Sequence, residues 1–260
     1  MDLRISGRKA LVCGSSQGLG LACATALARE GVLVTINGRD EVKLQRAADE
    51  IRSAAQATDV CVVAADMTSE EGRARMIAAC DNADILVTNN AGPPPGSLDT
   101  WDAAALMGAL NANMIPAVLL IRAVIPGMRK RRFGRIVNIT SAMVKSPSPS
   151  MGLSSAARTG LTAICKAISF EVAADNVTLN NLLPERIDTP RQEFMAQRMM
   201  RAQNIDRDEA RRQIANSIAA KRFGEPEEFG AACAFLCSAQ AGFISGQNLQ
   251  LDGGSYRGLI

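Results

Sequence analysis

Of 260 residues, 47% are hydrophobic and 21% charged, which suffices for one sizeable core and, in an α/β chain of this length, for a single domain over 1–260. The 29 basic and 26 acidic side chains leave a formal net charge of +3, so nothing draws the chain to nucleic acid or an anionic membrane, and a small molecule is the expected partner. Histidine is absent, which excludes a Ser-His-Asp triad and makes a metal site unexpected.

Seven β-branched runs, near 9–14, 32–37, 60–65, 84–90, 135–140, 178–183 and 248–252, alternate with helical patterns. The alternation predicts a doubly wound, Rossmann-type α/β fold: a seven-stranded parallel sheet with helices on both faces. A ligand then sits beyond the carboxyl ends of the strands, at the switch in strand order.

The first run leads into Gly14-Ser15-Ser16-Gln17-Gly18-Leu19-Gly20, after which an alanine-rich helix opens over 21–29. Glycines here let backbone N–H groups approach a pyrophosphate, and the helix N-terminus adds partial positive charge. The spacing is G-x-x-x-G-x-G, not the G-x-G-x-x-G fingerprint, and taken alone it also describes a plain tight turn. The second run ends at Asn37, Gly38 and Arg39. A carboxylate there would accept from an adenosine ribose, whereas an arginine pairs with a 2′-phosphate, so NADP(H) is expected over NAD(H). The alternative is an exposed loop arginine. Asp66 ends the third run, placed either to bond an adenine amino group or to act like an N-cap ahead of Ser69. The fourth ends at Asn89, Asn90, Ala91 and Gly92, followed by the stiff Pro93, Pro94 and Pro95.

One helix is expected over 102–128, apolar on nearly every face, and another over 155–174, apolar over much of its length. The core or a second subunit must cover them, and self-association is the expectation. The basic residues 129–132 complement the first helix's dipole at its C-terminus. No charge-free apolar stretch is expected to reach the ~18 residues of a membrane span, and Met1-Asp2-Leu3-Arg4 lacks a signal pattern, so the chain is expected in the cytoplasm. The seven cysteines include no C-x-x-C pair and read as reduced core residues.

Together the glycine loop, the Asn89-Asn90-Ala91-Gly92 run, Ser141 closing the run 135–140, and Leu251-Asp252-Gly253-Gly254 resemble the short-chain dehydrogenase/reductase family. The likeness covers essentially the whole chain and is greatest to the branch of β-ketoacyl carrier-protein reductases. It implies that Ser141 is the catalytic serine and Asn113 an active-site asparagine. It also implies that Ser15, Ser16, Gln17 and Leu19 belong to the phosphate loop, that Met67 joins Asp66 at the adenine, and that Pro184, Ile187 and Thr189 hold the nicotinamide end. A homotetramer or homodimer built on the two apolar helices is implied as well.

The family's tyrosine, followed four residues later by a lysine, is missing: Ser154 and Arg158 stand there, and the chain's one tyrosine is Tyr256. Carbonyl reduction develops an alkoxide that must receive a proton. Serine is a poor acid, and arginine stabilises charge without readily giving up its proton. Arg158 keeps the positive charge that, in the family, also holds ribose hydroxyls. Ser154 and Ser155 read alternatively as caps of the helix they begin. Lys145 and Glu185 are candidate substitute proton carriers, with a solvated lysine and a turn acid paired to Arg186 as the alternatives.

Residues 186–222 carry nine basic and five acidic side chains in two expected helices, where the family places a substrate lid. A basic lid suits a phosphorylated, coenzyme A-linked or acyl-carrier substrate, and an ordinary solvated helix pair is the alternative. The leading expectation is an NADP(H)-dependent oxidoreductase acting on a carbonyl or alcohol. The other readings are a cofactor-binding regulatory or scaffold protein without turnover, and a dehydratase or isomerase on the same scaffold.

Overall fold

The structure, a computed structural model, describes residues 2–56 and 59–259. Strands β1 (Lys9–Val12), β2 (Leu33–Gly38), β3 (Val60–Ala64), β4 (Ile85–Thr88), β5 (Gly134–Ile139), β6 (Val177–Pro184) and β7 (Asn248–Leu251) form one sheet. Its order is β3-β2-β1-β4-β5-β6-β7, and every neighbouring pair is parallel. The expected sheet is therefore present, with each run within a few residues of its strand. β4 and β5 are buried along their whole length, as strands covered on both faces must be.

The helices are α1 (Gly18–Arg29), α2 (Glu41–Ala55), α3 (Glu70–Ala79), α4 (Ala103–Asn113), α5 (Ile115–Arg131), α6 (Gly152–Val172), α7 (Pro190–Gln203), α8 (Arg207–Asn216) and α9 (Pro226–Cys237). Two apolar layers sandwich the sheet. On one face α1, α2 and α9 bring Leu27, Leu44 and Phe229 against Ile36. On the other α3, α5 and α6 bring Met76, Leu120 and Leu161 against Leu86 and Ile136.

The single helix expected over 102–128 is two helices. The chain breaks at Met114 (φ −121°, ψ −60°), and Pro116, which has no N–H to give, stands in the first turn of α5. The expectation that no charge-free run reaches the length of a membrane span also fails: 19 residues separate Asp102 from Arg122 without a charge. By length and composition residues 103–131 could cross a bilayer. Here the break divides them, and Leu120, Ile121 and Met128 are buried against the sheet. The cover is incomplete, since Leu106 on α4 is 42% exposed, Met107 51% and Phe170 on α6 74%.

Two smaller expectations change. α6 starts at Gly152, with Met151 at the cap position, so Ser154 and Ser155 lie inside its first turns and cap nothing. Cys61 is exposed on the edge strand β3, while the other six cysteines are buried and free.

Candidate active site

The strand order reverses between β1 and β4, and there the side-chain amide of Asn89 donates to the Gly14 carbonyl at 3.0 Å. Gly14 has φ +56°, and a Cβ on it would come within 2.9 Å of Asn89, so the close approach requires glycine. A Cβ on Gly20 would collide with the Gly14 carbonyl, which lets the loop fold tightly onto α1. Gln17 precedes α1 without a side-chain cap bond, and the first turn holds no acidic residue. The N–H groups at Gly18, Leu19 and Gly20 are thus open to an anion.

Ser15, expected among the cofactor contacts, is turned into the frame instead. Its hydroxyl donates to the Val12 carbonyl at 2.7 Å and accepts the Asn37 N–H at 2.9 Å, while its own N–H bonds the Asn37 carbonyl at 2.8 Å. Leu19 packs onto the core, so only its backbone faces the loop's task. Ser16 Oγ lies 3.4 Å from where a Cβ on Gly38 would stand, beside Arg39, which is exposed and has no ion-pair partner among the described residues. Hydroxyl, open glycine and free guanidinium therefore share one strand end.

Asp66 does not cap α3; Ser69 does, accepting the Gly72 N–H at 3.0 Å. The Asp66 carboxyl is held below its usual range, first by the Thr68 N–H at 2.9 Å, next by the Thr68 hydroxyl at 2.8 Å, and less by the charge of Arg39. Both bonds fall on Oδ1. Met67 is buried in the core and its carbonyl accepts from Arg73 at 3.0 Å, so its side chain stays out of the cleft.

At the end of β4 the Asn90 amide donates to the Ala112 carbonyl at 2.7 Å, drawing the C-terminus of α4, and with it Asn113, to the cleft. Asn113 is 6% exposed, and neither its amide nitrogen nor its oxygen has a partner among the described residues. Ala91 next to it donates its N–H to Asn90 Oδ1 at 2.9 Å.

Arg158 is 8% exposed and spans three elements. Its Nη1 donates to the Ile139 carbonyl at 2.8 Å, Nη2 to the Asn90 carbonyl at 3.3 Å, and Nε to Ser154 Oγ at 3.3 Å. A Cβ on Gly92 would lie 3.5 Å from Arg158 Nη2 and 3.8 Å from Ser154 Oγ, which puts this glycine against the pair. Burial, and after it the charge of Arg191, push the Arg158 guanidinium down to about 10, so it stays cationic at neutral pH.

Ser141, at the end of β5, starts a short 3-10 turn (Ala142–Val144) and accepts the Met143 N–H at 3.2 Å, which leaves its hydroxyl proton for another acceptor. Lys145 ends that turn and places its ammonium 5.4 Å from the centre of the Tyr256 ring. The C-terminal motif builds this contact: buried Asp252 accepts the Gly254 and Tyr256 N–H groups, each at 2.9 Å, around Gly253 (φ +59°) and Gly254 (φ +78°). The chain's one tyrosine, distant in sequence, therefore stands beside the serine's turn.

Pro184 ends β6, and the Glu185 N–H bonds the Leu251 carbonyl at 2.9 Å. Among the described residues Glu185 makes no ion pair with Arg186, whose Nε is buried without a partner. Ile187 is 6% exposed, in the core and bridged to Gly224, so its side chain faces away from the cleft. Thr189 lies against the phosphate loop, 3.7 Å from a Cβ placed on Gly18.

Residues 186–222 hold α7 and α8 as expected, and these two have a small apolar cluster of their own, Ala196, Ala210 and Ile214. Arg207 and Arg211 are paired with Glu193 and Asp188 at 2.8 and 2.7 Å, whereas Arg191, at the cleft end of α7, has no carboxylate partner among the described residues. On the opposite wall, Gly96 N–H bonds the Ser150 carbonyl at 2.9 Å, joining the loop of Pro93, Pro94 and Pro95 to the loop that carries Pro147 and Pro149. Among the described residues no cluster of acidic or thiol side chains could hold a metal ion.

The family description "Enoyl-(Acyl carrier protein) reductase" fits the chain over residues 14–256. NADPH-dependent reductase BacG of Bacillus subtilis (strain 168) is 31% identical over 259 residues, covering 98% of this chain and 100% of that protein. The 3-oxoacyl-acyl-carrier-protein reductase FabG of Vibrio harveyi is 31% identical over 261 residues, covering 98% and 99%. Among solved structures, L-sorbose reductase from Gluconobacter frateurii, complexed with NADPH and L-sorbose, superposes with a TM-score of 0.94 at 29% identity and full cover of both chains.

Proposed function

This chain belongs to the short-chain dehydrogenase/reductase family, and from that premise we propose that it is an NADP(H)-dependent oxidoreductase acting on a carbonyl or alcohol through an altered catalytic centre. The observation that carries the reading is the meeting, at one set of strand ends, of an uncapped glycine-lined helix N-terminus, the Ser16–Gly38–Arg39 corner, Ser141 and Arg158. When bound, NADPH supplies the hydride that reduces the carbonyl carbon.

The chain's own residues do the rest. N–H groups of Gly18, Leu19 and Gly20 hold the pyrophosphate, Ser16 and Arg39 the 2′-phosphate, and the backbone around Asp66 and Met67 the adenine. Pro184 and Thr189 border the nicotinamide end. The Ser141 hydroxyl donates to the substrate oxygen, and Arg158 meets the negative charge that develops on it. Asn113 supplies a further amide to the same space. Arg158 is tied through its N–H groups to Ile139, Asn90 and Ser154 and acts as a fixed charge, so the Lys145 ammonium, at the end of the serine's turn, delivers the proton and recovers one from water. Residues 186–222 act as the substrate lid on a single domain, and the exposed Leu106, Met107 and Phe170 fit a homodimer or homotetramer working in the cytoplasm. That Ser154 replaces the acid and already accepts from Arg158 favours a second reading, a cofactor-binding regulatory subunit without turnover.

The test is NADPH oxidation at 340 nm across a panel of ketones and aldehydes, with alcohol formation measured alongside and Ser141→Ala as control. Equimolar loss of NADPH and gain of alcohol, reduced ~10²-fold or more in the variant, is expected. Bound NADPH that no carbonyl consumes would instead support the regulatory reading.

A further inference from the structure

Arg158 is a buried cation whose described partners are all neutral. A guanidinium has five N–H donors, and the three bonds to Ile139, Asn90 and Ser154 leave one N–H on each Nη. No carboxylate lies within ion-pair distance of it among the described residues, although burying a charge without a counter-charge is costly. A second cation, Arg191, is close enough to act on Arg158 through its charge, which worsens the imbalance. Two neighbouring segments also carry buried polar atoms without a partner among the described residues: both side-chain polar atoms of Asn113, next to the Ala112 carbonyl that Asn90 bonds, and Oε1 of Gln192, which follows Arg191 in sequence. Ser154, which accepts from the guanidinium Nε, is a short side chain.

We propose that Arg158 and Arg191 form the seat for a carboxylate on the substrate, so that the carbonyl compound reduced here is a small oxo acid. This rests on the oxidoreductase reading and narrows it. A planar carboxylate matches the paired N–H groups of a guanidinium, and Arg158 is bonded to the Ile139 carbonyl, two residues before Ser141, so the seat lies at the strand end that carries the serine. The cofactor offers anions too, and Arg191 follows Pro190, whose ring is 4.0 Å from a Cβ placed on Gly18 at the phosphate loop. The experiment must therefore separate a substrate carboxylate from a cofactor phosphate.

Protein saturated with NADP+, so that no reduction occurs, is titrated by calorimetry with pyruvate, phenylpyruvate and acetoacetate and with the methyl ester of each. At least one acid is expected to bind about tenfold or more tightly than its ester, the size of a hydrogen-bonded charge pair. In Arg191→Gln that preference should collapse while NADP+ affinity stays within about twofold, the difference expected of a surface residue outside the cofactor site. Arg158→Gln, with its fold checked by circular dichroism, should lose the preference altogether. Acids that bind no better than their esters while NADP+ binds normally would overturn the proposal. So would an Arg191→Gln protein that loses NADP+ affinity and shows no change in acid preference, since the seat would then serve the cofactor. Acid-selective binding in a protein that binds no NADP+ would leave the seat standing and remove the oxidoreductase reading.

Discussion

Arg158 Nε donates to Ser154 Oγ at 3.3 Å, so the two residues that stand in place of the family's tyrosine and lysine are bonded to each other, four residues apart on one face of α6. The bond gives the serine hydroxyl a donor and steadies the guanidinium, but it supplies no acid. Restoring the pair tests this. Ser154→Tyr with Arg158→Lys should raise the rate of carbonyl reduction by ~10²-fold, the lower end of what a positioned general acid contributes. An unchanged or lower rate, in a protein that still binds NADPH, would mean that proton delivery does not limit this centre.

In the proposed function Lys145 delivers the proton, and its ammonium lies over the Tyr256 ring. Lys145→Met should lower kcat by ~10²-fold with cofactor affinity unaltered. Because the ammonium lies 5.4 Å from the ring centre, the face of the ring is what matters. Tyr256→Phe should therefore retain activity and Tyr256→Leu should lose part of it. Equal losses in both would transfer the acid role to the phenol hydroxyl.

Gly20→Ala probes the loop itself. The added Cβ would strike the Gly14 carbonyl, and neither backbone can withdraw without opening the β1 to α1 turn. Affinity for either dinucleotide should fall by tenfold or more, with ~1–3 kcal/mol of stability lost to strain, measured by denaturant unfolding. Undiminished binding would show that the loop does not hold the pyrophosphate.

Acid should loosen the junction between the segment 186–222 and α9. Arg222, bonded to both Glu228 oxygens at 2.7 and 2.8 Å, and next the Glu225 N–H hold the Glu228 carboxyl down at about 2, against 4.5 unperturbed. A depressed carboxyl stabilises the fold fully above its unfolded value, and that contribution is lost as pH falls from about 4.5 through about 2. The pair is exposed, so the effect is small and weakened by salt. Glu228→Gln should flatten that part of the curve of Tm against pH, and a curve identical to the parent's would disprove the coupling.

The sheet and the phosphate loop were legible because both are local: alternation of runs sets the strands, and Gly14, Gly18 and Gly20 sit in one turn. What the sequence hid depends on packing. The division of α4 from α5 rests on the non-helical backbone at Met114, which a window of apolar residues does not reveal. Ser15 matches a cofactor-contact position by spacing, yet its bonds to Val12 and Asn37 turn it inward, a preference that only the β1–β2 register decides. The place of Tyr256 beside Lys145 is hidden because a long-range contact makes it, although a lone tyrosine four residues after Asp252 is a visible clue.

The most direct measurement is the titration of the protein with NADPH and with NADH, read by calorimetry and by energy transfer from the single tryptophan, Trp101, and repeated with Arg39→Ala. Tight binding of NADPH over NADH, with that preference reduced about tenfold or more in the variant, is the predicted result, since one charge-assisted bond to a phosphate is lost. Failure to bind either nucleotide would contradict the oxidoreductase assignment at its foundation.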